Sequence, residues 1–273
     1  MKINRIKDYG EDSKMKVNFL EETISRLKEV DYFLDYLDKK KIGDLDKYIL
    51  ELRNRFLENA EFRVESLDLR EISKDFLFLN KDDDIFKVAL SFYLSTLDCK
   101  EFRINGEIEI CKKDILRGFL HIKYHLAKSL LSIMCKEEAF KFFNDYIDYH
   151  TVSIRKPSPV ENLEDLLYSS TDWPELFQKS FNLIDFQIDK GQVGYKIEKC
   201  KWHEAIKEFN DPDFCYSIAC HYDFLAAKVM NENFVLTRTQ TLAGGGKCCD
   251  FVWHDMRYDR ECMHPDEKFW ANL

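Results

Sequence analysis

The sequence predicts an α+β fold: a mostly helical N-terminal part followed by a C-terminal domain in which antiparallel hairpins pack on helices. Three observations carry this. Across residues 14–40 the apolar side chains Val17, Leu20, Ile24, Leu27, Val30, Leu34 and Leu37 recur every three or four positions, the stripe of an amphipathic helix. Beyond residue 180 the period becomes two: Ile184, Phe186 and Ile188 alternate with polar residues, Gly191 interrupts, and Val193, Tyr195 and Ile197 alternate again toward Cys200. Nearer the C-terminus, residues 234–242 and 249–253 read as two strands joined through Ala243-Gly244-Gly245-Gly246-Lys247.

The other elements follow from the same rules. Leu45, Ile49, Leu52 and Phe56 form one stripe, giving a helix over residues 44–59. Phe62, Val64 and Leu67 alternate, and a helix is expected at residues 85–97. Asn105-Gly106 accepts the positive φ of a type I′ turn, so residues 101–111 read as a hairpin. Asp114 is placed as the N-cap of a helix to residue 134, with another over residues 136–149. Prolines and serines mark residues 153–170 as a loop holding one short helix. Residues 202–209 read as helical, and Asp211-Pro212 supplies an N-cap and N1 proline for a helix to Met230.

Composition excludes several classes. The net charge of -9 leaves no basic face for phosphates, so nucleic acid is not expected as a partner. The most apolar stretch, residues 119–134, is broken by His121, Lys123, His125 and Lys128, and falls short of the roughly 20 residues that span a bilayer, so no membrane partner is expected. Lys2, Arg5 and Lys7 are not followed by an apolar run, so no secretory signal is read there. Nine cysteines, an odd number, and no Asn-X-Ser/Thr sequon point to a reducing, cytoplasmic setting. Cys99, Cys111, Cys135 and Cys215 are read as core filling.

Chemistry-bearing residues concentrate between Cys200 and Asp250. Cys220 and Asp223, three apart on the helix opened by Pro212, share a face. Strand alternation from Leu236 to Leu242 sends Arg238, Gln240 and Leu242 to one side and the threonines to the other. On the next strand Cys249 and Phe251 share one face, and Cys248 and Asp250 the opposite one. Cys200 and His203 have a Cys-X-X-His spacing, but structural zinc sites arrive as paired short spacings and only one loose pair is present, so no metal and no cofactor is expected. The three glycines lack a following helix and are read as a hairpin turn, not a phosphate loop.

The run Arg238-Thr239-Gln240-Thr241-Leu242-Ala243-Gly244, then Cys249-Asp250-Phe251, preceded by Cys220 with Asp223, resembles the C-terminal signature of the L-2-amino-thiazoline-4-carboxylic acid hydrolase family. Cys200 and the helices of residues 125–149 sit where that family would have them, so the resemblance covers residues 116–253. It divides the chain into a helical region of unassigned role, residues 1–99, and a hydrolase-like α+β domain, residues 100–273. A weaker resemblance is to the vinyl-four-reductase type of ligand-binding domain, in which a glutamate and cysteines on this hairpin can hold zinc. Here Arg238 and Thr241 occupy matching positions and only Cys249 remains.

The hydrolase resemblance implies a small-molecule substrate, a cyclic isothiourea acid. Opening or closing its ring at a carbon–nitrogen bond requires a nucleophile at the carbon between nitrogen and sulfur, a proton for the leaving atom, and an anchor for the carboxylate. Arg238 can clamp that carboxylate in a bidentate fork. Asp223 or Asp250 can hold the amidinium and shuttle protons, and Cys220 or Cys249 can attack, with carboxylate-activated water an equal contender. Cys200, His203, Thr239 and Thr241 join Arg238 as candidate substrate contacts. A non-catalytic ligand-binding or sensor module, with the N-terminal helices as a homodimer surface, is the alternative, and a natural-product tailoring enzyme on the same fold is a third.

Overall fold

A computed structural model describes residues 2–7, 9–10, 13–61, 76–97, 106–154, 156–167 and 173–273. The chain forms two compact units, one of Met1–Glu11 with Ile147–Leu273 and one of Asp12–Tyr146. Helices and antiparallel sheets make the fold α+β, as the periodicities predict.

The unit of Asp12–Tyr146 is helical around a small hairpin-like sheet. Strand β2 (Lys14–Asn18) pairs antiparallel with β3 (Glu107–Cys111), following the edge strand β1 (Lys2–Lys7) of the other unit in chain order. The first five residues of the expected 14–40 helix are therefore strand. Helix α1 begins at Phe19 and runs to Lys40, and its N-cap Asn18 accepts the Glu21 amide at 3.2 Å. Helices α2 (Leu45–Glu58) and α3 (Asp83–Ser95) lie where expected, and Asp44 caps α2. Helix α4 opens at Lys112, ahead of the expected cap Asp114, and ends at Ser129. Helix α5 spans Lys136–Ser153. The Phe62, Val64 and Leu67 alternation and the first arm of the Asn105-Gly106 hairpin lie outside the described residues.

This unit's core is aromatic. Phe56 stacks on Phe92 at 4.5 Å between centroids, and His125 meets Phe92 edge-on at 5.0 Å. Buried Asp31 accepts the amides of Leu77, Phe78 and Leu79, each at 2.8 Å. Of the cysteines read as core filling, Cys215 is buried, Cys111 is half-buried, Cys135 is exposed at the start of α5, and Cys99 lies outside the described residues. Burial pushes His125 down to about 3, so it is neutral in the fold.

The other unit holds a five-stranded sheet in the order β1-β4-β5-β7-β6, antiparallel throughout. Its strands are β4 (Phe181–Asp189), β5 (Gln192–Cys200), β6 (Phe234–Thr237) and β7 (Cys249–Asp255). The β4–β5 hairpin is the one the Gly191 break marks. One face of the sheet carries Leu183, Tyr195, Ile197, Leu236, Cys249 and Phe251, and the other Ile184, Phe186 and Val252 under α9 (Glu267–Asn272). Between β5 and β6 lie α6 (Lys201–Ile206), α7 (Pro212–Cys220) and α8 (Tyr222–Met230). The helix expected to run unbroken from Pro212 to Met230 is thus two. The His221 amide reaches back five residues to the Tyr216 carbonyl at 3.2 Å, a wide turn that separates α7 from α8.

Gly194 in β5 is required by close approach, because an added Cβ would stand 2.2 Å from the Phe251 carbonyl oxygen and 2.7 Å from the Phe186 ring. Gly194→Ala is expected to cost at least about 2 kcal/mol in chemical denaturation, through forced separation of β5 from β7. His125 gives a pH signature of known sign. Its folded pKa lies below the unfolded value, so the stabilising contribution is complete above about pH 6.5 and is lost as pH falls toward 3, by up to about 1.4 kcal/mol per unit. Urea unfolding of the wild type and of His125→Gln between pH 6.5 and 4.5 checks this, since the variant lacks that slope.

Candidate active site

Arg238 follows the last residue of β6 and turns toward α7 and α8. Its Nη1 donates to Asp223 Oδ2 at 2.8 Å, and its Nη2 to the Cys220 carbonyl at 3.0 Å and the Tyr216 hydroxyl at 3.2 Å. The rings of Phe224, Phe251 and Tyr216 stand 4.7, 4.8 and 5.3 Å from the guanidinium carbon. The guanidinium is thus surrounded by aromatic faces and acceptors, with a side chain only 1% exposed, whereas its partner Asp223 is 31% exposed. Of the two side chains, Asp223 keeps the greater accessible surface.

Three thiols gather around the pair. Cys220 at the end of α7, Cys249 at the start of β7 and Cys200 at the end of β5 each feel one another and Asp223 electrostatically. Cys220 also shares a hydrogen bond with the Thr241 hydroxyl, and the Leu242 amide donates to Cys249 Sγ at 3.3 Å. Burial pushes Cys200 up to about 12, and Cys220 and Cys249 further, with the nearby Asp223 carboxylate adding to the rise and Arg238 opposing it at the latter two. All three are neutral thiols at neutral pH. Burial likewise raises Asp223 above the usual carboxylate range, opposed by Arg238.

Asp250 lies on the opposite face of β7 from Cys249, as strand alternation requires. It is fully buried, and Oδ1 accepts the amides of Thr239 and Gln240, both at 2.9 Å, while Oδ2 accepts the Thr239 hydroxyl and contacts His264 Nε2 at 3.3 Å. Burial alone would raise its pKa, but these donors bring it below the usual value. Asp250 is therefore a clamp on the segment carrying Arg238 and Thr241. By capturing two amides it also ends β6 at Thr237, well short of the expected strand to Leu242. Simple alternation is lost there: Thr241 turns toward Cys220 on the Arg238 side, and Thr239 toward Asp250.

The glycine-tipped turn is held by Thr241, whose Oγ1 accepts the Gly244 amide at 2.9 Å and whose carbonyl accepts the Gly246 amide at 2.8 Å. Gly245 has φ +86°, open only to glycine without strain. His203, on α6, offers its backbone to the Cys200 sulfur, and none of its described side-chain contacts reaches the thiols. The structure thus brings together Cys200, Cys220, Asp223, Arg238, Thr241 and Cys249, and sets Thr239, Asp250 and the His203 ring apart. Among the described residues no group of three or more His, Cys, Asp or Glu side chains has a metal-holding arrangement.

Tyr216 and Phe224, which enclose Arg238, went unread in the sequence, although Tyr216, Cys220 and Phe224 are spaced at four-residue intervals. His254 and His264, which the sequence offers only as further histidines beside the Cys200–His203 spacing, meet Asp250's side of the sheet: His254 lies two and four residues along the Val252 and Asp250 face of β7, and a chain reversal after Asp255 brings His264 back to Asp250.

The antiparallel sheet and helices α7 and α8 together hold a buried Arg238–Asp223 pair flanked by three cysteines. Residues 122–253, just under half of the chain, match the family model described as L-2-amino-thiazoline-4-carboxylic acid hydrolase. The resemblance read from the Arg238–Phe251 residues is borne out over this segment, which supports hydrolase-like chemistry at family level. No curated protein and no solved structure matches the chain. No helix among the described residues is long and apolar enough to cross a membrane.

The thiol protonation states are directly testable. Iodoacetamide at pH 7.5 is expected to label exposed Cys135 rapidly and leave Cys220 and Cys249 unlabelled, as peptide mass spectrometry reads. Labelling of either at the Cys135 rate would contradict the neutral-thiol description.

Proposed function

We propose that this protein hydrolyses a carbon–nitrogen bond of a small cyclic isothiourea or amidine acid, with Asp223 as the acid–base group. The observation that carries this is the asymmetric ion pair, in which a buried guanidinium fixes a carboxylate whose burial raises its proton affinity and whose side chain keeps 31% of its surface accessible. The family-level match supports a hydrolase-like reading, from which the substrate class is inferred.

In this reading Asp223 faces the substrate's amidine, and a water molecule adds to the carbon between nitrogen and sulfur as Asp223 takes its proton. The tetrahedral carbon then collapses to a carbonyl as the ring carbon–nitrogen bond breaks, and the departing nitrogen receives both hydrogens of the water, one returned from Asp223 and one released from the carbon-bound hydroxyl. One water is consumed and no oxidant or reductant is needed. Water is favoured over a cysteine nucleophile because burial holds the Cys220 and Cys249 thiols well above the ordinary thiol range, which keeps them protonated at neutral pH. Cys220 and Cys249 then line the pocket as neutral groups. In this reading Arg238 holds Asp223 and does not clamp the substrate carboxylate, because both of its terminal nitrogens donate within the protein.

A non-catalytic ligand-binding module is the second reading, favoured by the same protonated thiols. Turnover decides between the two. Asp223→Asn is expected to lower kcat/KM for ring opening by at least about 100-fold while Cys220→Ser and Cys249→Ser stay within about tenfold. Asp223→Asn combined with Arg238→Met removes the buried charge that the single change leaves uncompensated, and should be equally inactive. Because Asp223 titrates above the ordinary carboxylate range and must be ionised to act as base, wild-type activity should rise with pH through that raised value. Full activity in Asp223→Asn, or binding of a thiazoline acid by calorimetry with no turnover, would defeat the enzymatic reading.

A further inference from the structure

On the face of the sheet away from the thiols, five side chains form one continuous chain. Asp259 Oδ2 meets His254 Nδ1 at 2.6 Å, His254 Nε2 meets Thr237 Oγ1 at 2.7 Å, Thr237 Oγ1 meets His264 Nδ1 at 3.0 Å, and His264 Nε2 meets Asp250 Oδ2 at 3.3 Å. His254, Asp259 and His264 lie beyond the segment that matches the family model.

Hydrogen counting makes this chain informative. Four contacts need four hydrogens to be hydrogen bonds. Two neutral imidazoles bring one N–H each, Thr237 brings one O–H, and two carboxylates bring none. Three hydrogens cannot serve four contacts, so with neutral histidines one contact must set lone pair against lone pair.

We propose that His264 is an imidazolium that completes this chain and acts as a positioning residue, holding through Asp250 the segment that carries Arg238 and Thr241. Three observations locate the extra proton there. His254 is fully buried, and burial lowers its pKa although Asp259 opposes this, whereas His264 is 14% exposed. The Trp270 ring stacks on His264 at 5.4 Å and 22°, a face that favours a cation. Asp250 already accepts two amides and a hydroxyl, which commits it to the carboxylate form. Other polar and titratable groups beside the chain include Gln192, whose amide donates to Asp259 at 2.7 Å and lies 3.4 Å from His254 Nδ1, Cys262, whose amide donates to Asp259 at 3.3 Å, and Cys248 with Lys196 and Glu198 near Asp250.

The hydrogen bonds then run in one direction from each centre. His254 donates from Nδ1 to Asp259 and accepts the Thr237 hydroxyl at Nε2, and His264 donates from both nitrogens, to Thr237 and to Asp250. Without a hydrogen on both His264 nitrogens, a lone pair would face either Thr237 or the Asp250 carboxylate, so the clamp depends on that second hydrogen. The consequence for catalysis rests on the function proposed above; the protonation state does not.

The test uses full-length protein with ¹⁵N-histidine and needs no substrate. Ring-nitrogen shifts, assigned with His264→Gln, are expected to show both nitrogens of His264 protonated at pH 6.5 and His254 protonated at Nδ1 alone. Exchange of the Thr239 and Gln240 amides should accelerate at least tenfold in His264→Ala. His264→Gln, a neutral donor to Asp250, should restore protection. A singly protonated His264 at pH 6.5, or Thr239 and Gln240 amides as protected in His264→Ala as in the wild type, overturns the proposal. Should His264→Ala fail to fold, the wild-type ring-nitrogen shifts decide alone. Absence of ring-opening activity would remove the function proposed above and leave this result standing.

Discussion

The ion pair between Arg238 and Asp223 governs the site. A guanidinium with 1% of its side chain exposed is tolerable only if its charge is matched and its donors are occupied, and here Asp223, the Cys220 carbonyl and the Tyr216 hydroxyl meet that need. The carbonyl lies at the break between α7 and α8, where the His221 amide reaches back to Tyr216. A helix break, an ion pair and an aromatic enclosure are thus parts of one solution to burying a cation. The exposed product of that solution is a carboxylate of raised proton affinity among neutral thiols.

A second carboxylate does the opposite work on the other face of β7. Asp250 spends its acceptor capacity on the backbone and hydroxyl of Thr239, the Gln240 amide and His264. The pKa directions separate the two acids by role: desolvation prevails at Asp223, and donated hydrogen bonds prevail at Asp250. One acid can exchange a proton; the other fixes geometry.

Much of the architecture was legible because its signals are local. The α2 stripe, the β4–β5 hairpin with its Gly191 break and the opposite facing of Cys249 and Asp250 need only periodicity and turn chemistry. The misread elements depend on partners remote in sequence. Lys14–Asn18 pairs with Glu107–Cys111, a partner that a helical stripe running through Val17 conceals. Residues 238–242 look like strand until Asp250 captures the amides a ladder would have used. Among the site residues, the gathering of Cys220, Asp223, Arg238 and Cys249 follows from the quoted motif, but the direction in which Arg238 spends its charge does not, because α7 and α8 supply its acceptors.

The sheet also constrains the order in which the protein can be built. Strand β1 pairs with β4, Lys2 opposite Gln187 and Lys7 opposite Asn182, while the intervening chain makes up the whole of the other compact unit. During synthesis on a ribosome the first strand has no partner until β4 has emerged, so its edge stays open while the helical unit is already complete in covalent terms. Three of its six residues, Lys2, Arg5 and Lys7, are cationic, and that charge on the waiting strand discourages pairing with another nascent chain.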